Sequence, residues 1–125
     1  MISAPVSIGE LLDKITILEI KLDKITDPIK LANVRNELTC LLNIVEGIEL
    51  DKHLIAEPLQ GLSLVNQQLW DIEDAIRIKE KLNEFDDDFI ALARSVYKTN
   101  DRRAAFKREI NVLLNSTLVE EKEYT

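Results

Sequence analysis

The sequence predicts an all-α fold, an elongated helical bundle of two antiparallel hairpins with four main helices, and three observations carry that reading. Leu and Ile supply much of an apolar content of 46%, while aromatic residues make up 5%, a balance that favours long helices over many short strands. Glycine and proline number three each, too few to punctuate a sheet with turns. Apolar residues recur at gaps of three and four through most of the chain, which is the period of amphipathic helices. At 125 residues the chain is long enough for one core and too short for two, so a single domain over 1–125 is expected.

The first helix is the stretch Ser7 to Ile25, with Ile8, Leu11, Ile15, Leu18, Leu22 and Ile25 forming a seam that packs lengthwise on other helices. Ser7 and Glu10 stand at the spacing of a capping box, in which each side chain meets the other's backbone amide. Ile17 and Ile20 lie well off the seam, so this helix needs cover on two sides. It is therefore the central helix of a bundle or an oligomer contact. Thr26-Asp27-Pro28 reads as a tight turn, with Asp27 capping and Pro28 opening the second helix. That helix carries Leu31, Val34, Leu38, Leu41 and Val45 on one stripe, widened by Leu42. It runs to about Glu46, where Gly47 is expected to take a left-handed closing conformation.

Between Ile48 and Gly61 the pattern is ambiguous between helix and loop, because Pro58 and Gly61 interrupt any continuous helix; Pro58 reads as the start of the third. Leu62, Val65, Leu69, Ile72 and Ile76 then restore the seam to about Leu82, and Asn83 to Asp88 reads as a loop whose aspartates cap the fourth helix. In that helix Phe89, Ala93, Val96 and Tyr97 share one face, whereas Phe106, Ile110 and Leu113 lie about a third of a turn away at ~100° per residue. The capping types Thr99, Asn100 and Asp101 therefore predict a kink or interruption near Asn100, with the last helix ending about Asn115. The charged residues 120–125 read as a poorly ordered tail.

A net charge of −7 argues against nonspecific nucleic-acid or acidic-lipid binding. No run of about 18 apolar residues is present, and the opening MISAPVS lacks the charged start and apolar core of a secretory signal, so a cytoplasmic protein is expected. One cysteine, Cys40, and one histidine, His53, make neither an internal disulfide nor a zinc set. They also leave no basis for Ser-His-Asp or Cys-His catalysis. Gly9, Gly47 and Gly61 are isolated, so no phosphate-binding glycine loop exists.

Two clusters remain that have chemistry. Arg94, Lys98, Arg102, Arg103, Lys107 and Arg108 are interleaved with Tyr97 and Asn100. If a helix restarts near Asn100, its positive dipole end falls beside Arg102 and Arg103 and asks for an anion: a phosphate, a sugar nucleotide or an acidic glycan, with Tyr97 stacking. The plainer alternative pairs these cations with Glu73, Asp74 or another carboxylate across the bundle, or leaves them as a solvated face. Glu10 with Asp13, and Asp71 with Asp74, place two spaced carboxylate pairs on the first and third helices, a pattern that suits Mg²⁺ and resembles weakly the all-α nucleotide pyrophosphohydrolases. Glu10 is also accounted for by its cap. Trp70 sits beside the third seam as either a stacking platform or a plug at the rim of a core or interface.

Three stretches, SIGELLDKITILEIK at 7–21, LWDIEDAIR at 69–77 and ARSVYKTNDRRAAFKREIN at 93–111, closing with LVEEKEY at 118–124, resemble a family of small uncharacterised proteins of bacteria and cyanobacterial phages, a domain of unknown function. The resemblance spans nearly the whole chain and implies no reaction, cofactor or catalytic residue. The leading expectation is a module that associates with itself, as a homodimer, or with a partner through Ile17, Ile20 and Trp70, with enzymatic activity left open. The rival is a small enzyme or binding protein for a phosphorylated sugar or nucleotide, working through residues 94–108 or the carboxylates.

Overall fold

The structure of the protein, a computed structural model, describes residues 1–124. Four helices follow in chain order: α1 Ile8–Lys24, α2 Pro28–Glu46, α3 Ala56–Lys81 and α4 Asp87–Leu113. There is no strand among the described residues. α1 is the hub: it packs on each of the other three, α3 and α4 make the most extensive contact with each other, and α2 touches α1 alone. The two expected antiparallel hairpins, α1/α2 and α3/α4, are thus joined through one shared helix. The core gathers Leu11, Leu12, Ile15 and Leu18 of α1, Val34 and Leu38 of α2, Ile55, Leu62 and Val65, and Ile110 of α4.

The helix starts follow the capping chemistry in the sequence. The Ser7 hydroxyl accepts from the Glu10 amide at 3.0 Å, Asp27 from Ile29 and Lys30, and Asp86 from Phe89 at 2.9 Å. The reciprocal half of the capping box does not form, because the Glu10 carboxylate turns instead to Lys107. α3 and α4 end alike. Asn83 and Asn115 take left-handed φ values of 53° and 52°. The following amides, Glu84 and Ser116, donate back to the carbonyls of Lys79 at 3.0 Å and Asn111 at 2.8 Å. Asparagine tolerates this conformation, and the geometry satisfies carbonyls that the helix end leaves free. Gly47 does not close α2 this way; its φ of −79° and ψ of −4° are right-handed.

The region between α2 and α3 resolves in favour of helix later than Ile48 and earlier than Pro58. Asp51 accepts from the amides of His53 and Leu54, which turns the chain and drops Ile55 into the core at 1% exposure. α3 then begins at Ala56. Pro58 lies within its first turn, where a missing N–H costs nothing. Gly61 does not interrupt α3 either: it is a contact. A Cβ built there would lie 2.5 Å from the Phe106 ring, so the glycine lets α4 approach. Gly61→Ala is expected to cost about 1–2 kcal/mol, overpacking being partly offset by alanine's helix propensity. Adding Phe106→Leu should recover the loss in urea denaturation.

α4 is continuous from Asp87 to Leu113, so the interruption expected near Asn100 does not occur. Arg102 and Arg103 are mid-helix residues, and the free amides of a first turn are not there to receive an anion. The change of apolar face reflects a change of neighbours. Before Thr99, no residue of α4 is buried, whereas Thr99, Ile110 and Asn111 are.

Candidate functional site

A polar layer pins α1, α3 and α4 together inside the core. Asp13, fully buried, receives Arg103 in a two-pronged pair, Nε on Oδ1 at 2.9 Å and Nη2 on Oδ2. Oδ1 also accepts from the Asn66 amide at 2.8 Å. That same amide donates to the Thr16 hydroxyl at 2.8 Å, which in turn donates to the Asp13 carbonyl at 2.7 Å. No buried side-chain polar atom among the described residues lacks a partner. The Asp13 bond raises the Arg103 pKa further above its ordinary value, against the opposing effect of burial. A carboxylate so enclosed is tolerable only because both oxygens are engaged, and a planar guanidinium does this in one fixed geometry. One turn nearer the start of α1, Lys107 binds Glu10, and the Gly9 amide donates to Asn111 Oδ1 at 2.6 Å.

This layer answers the question of where the cations go. Arg103 and Lys107 pair across the bundle as the plainer sequence reading held, although with Asp13 and Glu10 and not with Glu73 or Asp74. The four carboxylates grouped for Mg²⁺ do not come together. Glu10 and Asp13 are consumed by Lys107 and Arg103, Asp71 and Asp74 are exposed on α3, and no metal-holding group of acidic, His or Cys side chains forms among the described residues. Asn66, Thr16 and Asn111 were not visible as site residues in the sequence. The available signal was Asp13 itself, a charge on a helix apolar on two sides, which must find a partner.

Outside the layer lies an open groove of about 580 Å³. Tyr97, Asn100, Arg103, Lys107 and Arg108 line it, five of the eight residues that the sequence grouped together. Arg94 and Arg102 are not among its lining residues, and Arg102 donates to Gln68 of α3 at 3.2 Å. The far wall of the groove is the chain's own end. Glu120 accepts from Ser7 at 3.0 Å and lies 3.7 Å from Lys107, Glu121 accepts from Arg108 at 3.2 Å, and Lys122 reaches Asp101 at 2.8 Å. The tail expected over 120–125 is therefore laid across α4 as far as it is described; Thr125 lies outside the described residues.

The third feature is an apolar arm. On α3 the seam residues Leu62 and Val65 have no exposed surface, whereas Leu69, Trp70, Ile72 and Ile76 of the same helix are only half-buried. On α4 Phe89, Leu92 and Val96 are half-buried as well. No residue of α3 beyond Asn66 is buried, so residues 67–81, about 22 Å of helix at ~1.5 Å per residue, pair with α4 as an open two-helix hairpin. Ile78, Leu82, Phe85 and Ile90 near its tip are each more than half exposed. Ile17 and Ile20, half-buried, lie on α1 one and two turns past Asp13, and Trp70 lies one turn past Asn66, so all three stand where the enclosed layer gives way to the arm. The tip is stapled by Lys79, which bridges Glu84 and Asp86; the bond to Asp86 raises the lysine pKa and lowers that of the aspartate.

No helix of the described residues is long and apolar enough to cross a membrane. The family described as "Family of unknown function (DUF6165)" matches residues 2–125 of the chain. No curated protein and no solved structure matches it.

Proposed function

The chain belongs to this family of unknown function, and we propose that it is a self-associating helical module in which the α3/α4 arms of two copies pack on each other in an isologous homodimer. The observation that carries the reading is the half-buried arm seam, whose counterpart on α3, Leu62 and Val65, is fully enclosed. Two antiparallel hairpins with one open seam each are the halves of a four-helix bundle.

Charge selects the orientation. The arm's tip carries Glu84, Asp86, Asp87 and Asp88, and its α4 base carries Arg94 and Lys98, both exposed and neither in an ion pair among the described residues. Along α4, arms lying antiparallel set Asp87 and Asp88 of one copy near Arg94 and Lys98 of the other, whereas parallel arms oppose like charges there. Ile17, Ile20 and Trp70 then border the contact.

The test is cross-linking. With Cys40 replaced by Ser, the pair Asp87→Cys and Lys98→Cys is expected to give a disulfide-linked dimer under mild oxidation, and Asp87→Cys alone is expected to give none. Adding Ile76→Lys should abolish the cross-link while the helical circular dichroism is kept. Failure of the paired cysteines to link, or linkage through Asp87→Cys alone, overturns the arrangement.

A further inference from the structure

We infer that the groove beside α4 is a binding site for a phosphorylated small molecule, with the C-terminal tail as its built-in competitor. Glu120 and Glu121 occupy the positions at which a phosphoryl group would meet Lys107 and Arg108. Around the groove Arg103 and Lys107 are matched by Asp13 and Glu10 of α1, whereas Arg108 is matched only while the tail is in place. With the tail lifted, Arg108 has no remaining acidic partner among the described residues, whereas Lys107 keeps Glu10 and, at 4.0 Å, Asp13.

The tail is held in a way that permits exchange. Beyond Ser116 each described residue is exposed, and the hold is polar: Ser7 to Glu120, Arg108 to Glu121, Lys122 to Asp101, and Lys122 over the Tyr124 ring at 5.2 Å. The Arg108 and Lys122 pairs are exposed, and such pairs are weak. A phosphate brings more charge and three acceptor oxygens, which suit a guanidinium or an ammonium. Tyr97, 55% exposed at the groove edge, and Asn100 offer a ring face and an amide to whatever the phosphate is attached to. None of these residues belongs to the arm contact of Arg94 and Lys98, so the two readings stand or fall separately.

Calorimetric titration of the full chain with inorganic pyrophosphate, uridine diphosphate and uridine tests the assignment. Removing the competing charges by Glu120→Gln with Glu121→Gln is expected to tighten pyrophosphate and uridine diphosphate about tenfold, the scale set by an intramolecular competitor. Uridine should not bind. Arg108→Ala in that background should lose the gain, and the same charge removed elsewhere, Glu57→Gln with Glu80→Gln, should leave affinity at the wild-type value. No saturable binding of either phosphate in the tail variant, affinity unchanged by the tail substitutions, a gain that survives Arg108→Ala or is matched by the remote charge removal, or uridine binding as well as its diphosphate would each overturn the proposal.

Discussion

Replacing Asp13 with alanine is expected to destabilise the protein by about 3–5 kcal/mol, the cost of leaving one member of a buried ion pair without its partner. For a chain of this size that corresponds to a fall in Tm on the order of 10–20 °C. The loss has three parts in one residue: Arg103 keeps its charge in a site 29% exposed, Asn66 loses an acceptor, and the registry of α1 against α3 and α4 loses its lock. Asp13→Asn should fall short of full rescue, since an amide cannot accept both prongs of the guanidinium. Asp13→Leu combined with Arg103→Met should recover most of the stability, because an apolar pair of similar volume avoids the desolvation that the ions incur. Thermal and urea denaturation of the singles and the double read this directly. A loss below ~1 kcal/mol for Asp13→Ala would mean that the layer is not as closed as its burial indicates.

Gly9→Ala is the second large effect, expected at about 2–4 kcal/mol from overpacking and a damaged buried hydrogen bond. A Cβ at Gly9 would meet the Lys107 carbonyl oxygen at 2.5 Å and Asn111 Oδ1 at 2.9 Å. Backbone cannot swing aside as a ring does at Gly61, so α1 and α4 must separate. The Asn111 bond to the Gly9 amide, an orphan donor of the first turn, would be strained or lost as they do. Asn111→Ala alone should cost less, about 1–2 kcal/mol. The pair Gly9→Ala with Asn111→Ala should not return to wild type, because the carbonyl contact persists. Full recovery in the double variant would place the strain in the asparagine and not between the helices.

The contrast between these residues and the seam shows what the sequence could and could not disclose. Leu11, Ile15 and Leu18, or Val34 and Leu38, declare themselves by spacing, because the apolar face of a helix is a local periodic property. Asp27 and Asp86 declare themselves as caps for the same local reason. Asp13, Asn66 and Arg103 meet across 53 and 90 residues of chain, and nothing local in their spacing encodes that meeting. Gly61 and Pro58 read as breaks because their intrinsic preferences oppose helix. Tertiary contact with Phe106 and a place in the first turn reverse both. The shift of face along α4 suggested a break at Asn100, yet a helix whose second half gains α1 as a neighbour shifts its buried face without bending at a cap. Of the groove, the cations were legible as a cluster. The tail that meets them was not, since its hold on Ser7 spans 113 residues.

Self-association rests on the half-buried seam of the α3/α4 arm, and the mass of the particle in solution tests it most directly. Multi-angle light scattering behind a sizing column, on wild-type protein from about 1 to 100 μM, is expected to give a mass near twice the 14.3 kDa of the chain, as an isologous dimer requires. Ile76→Lys should shift it to the single-chain value. A mass of 14.3 kDa for wild type across that whole range would contradict the proposed association.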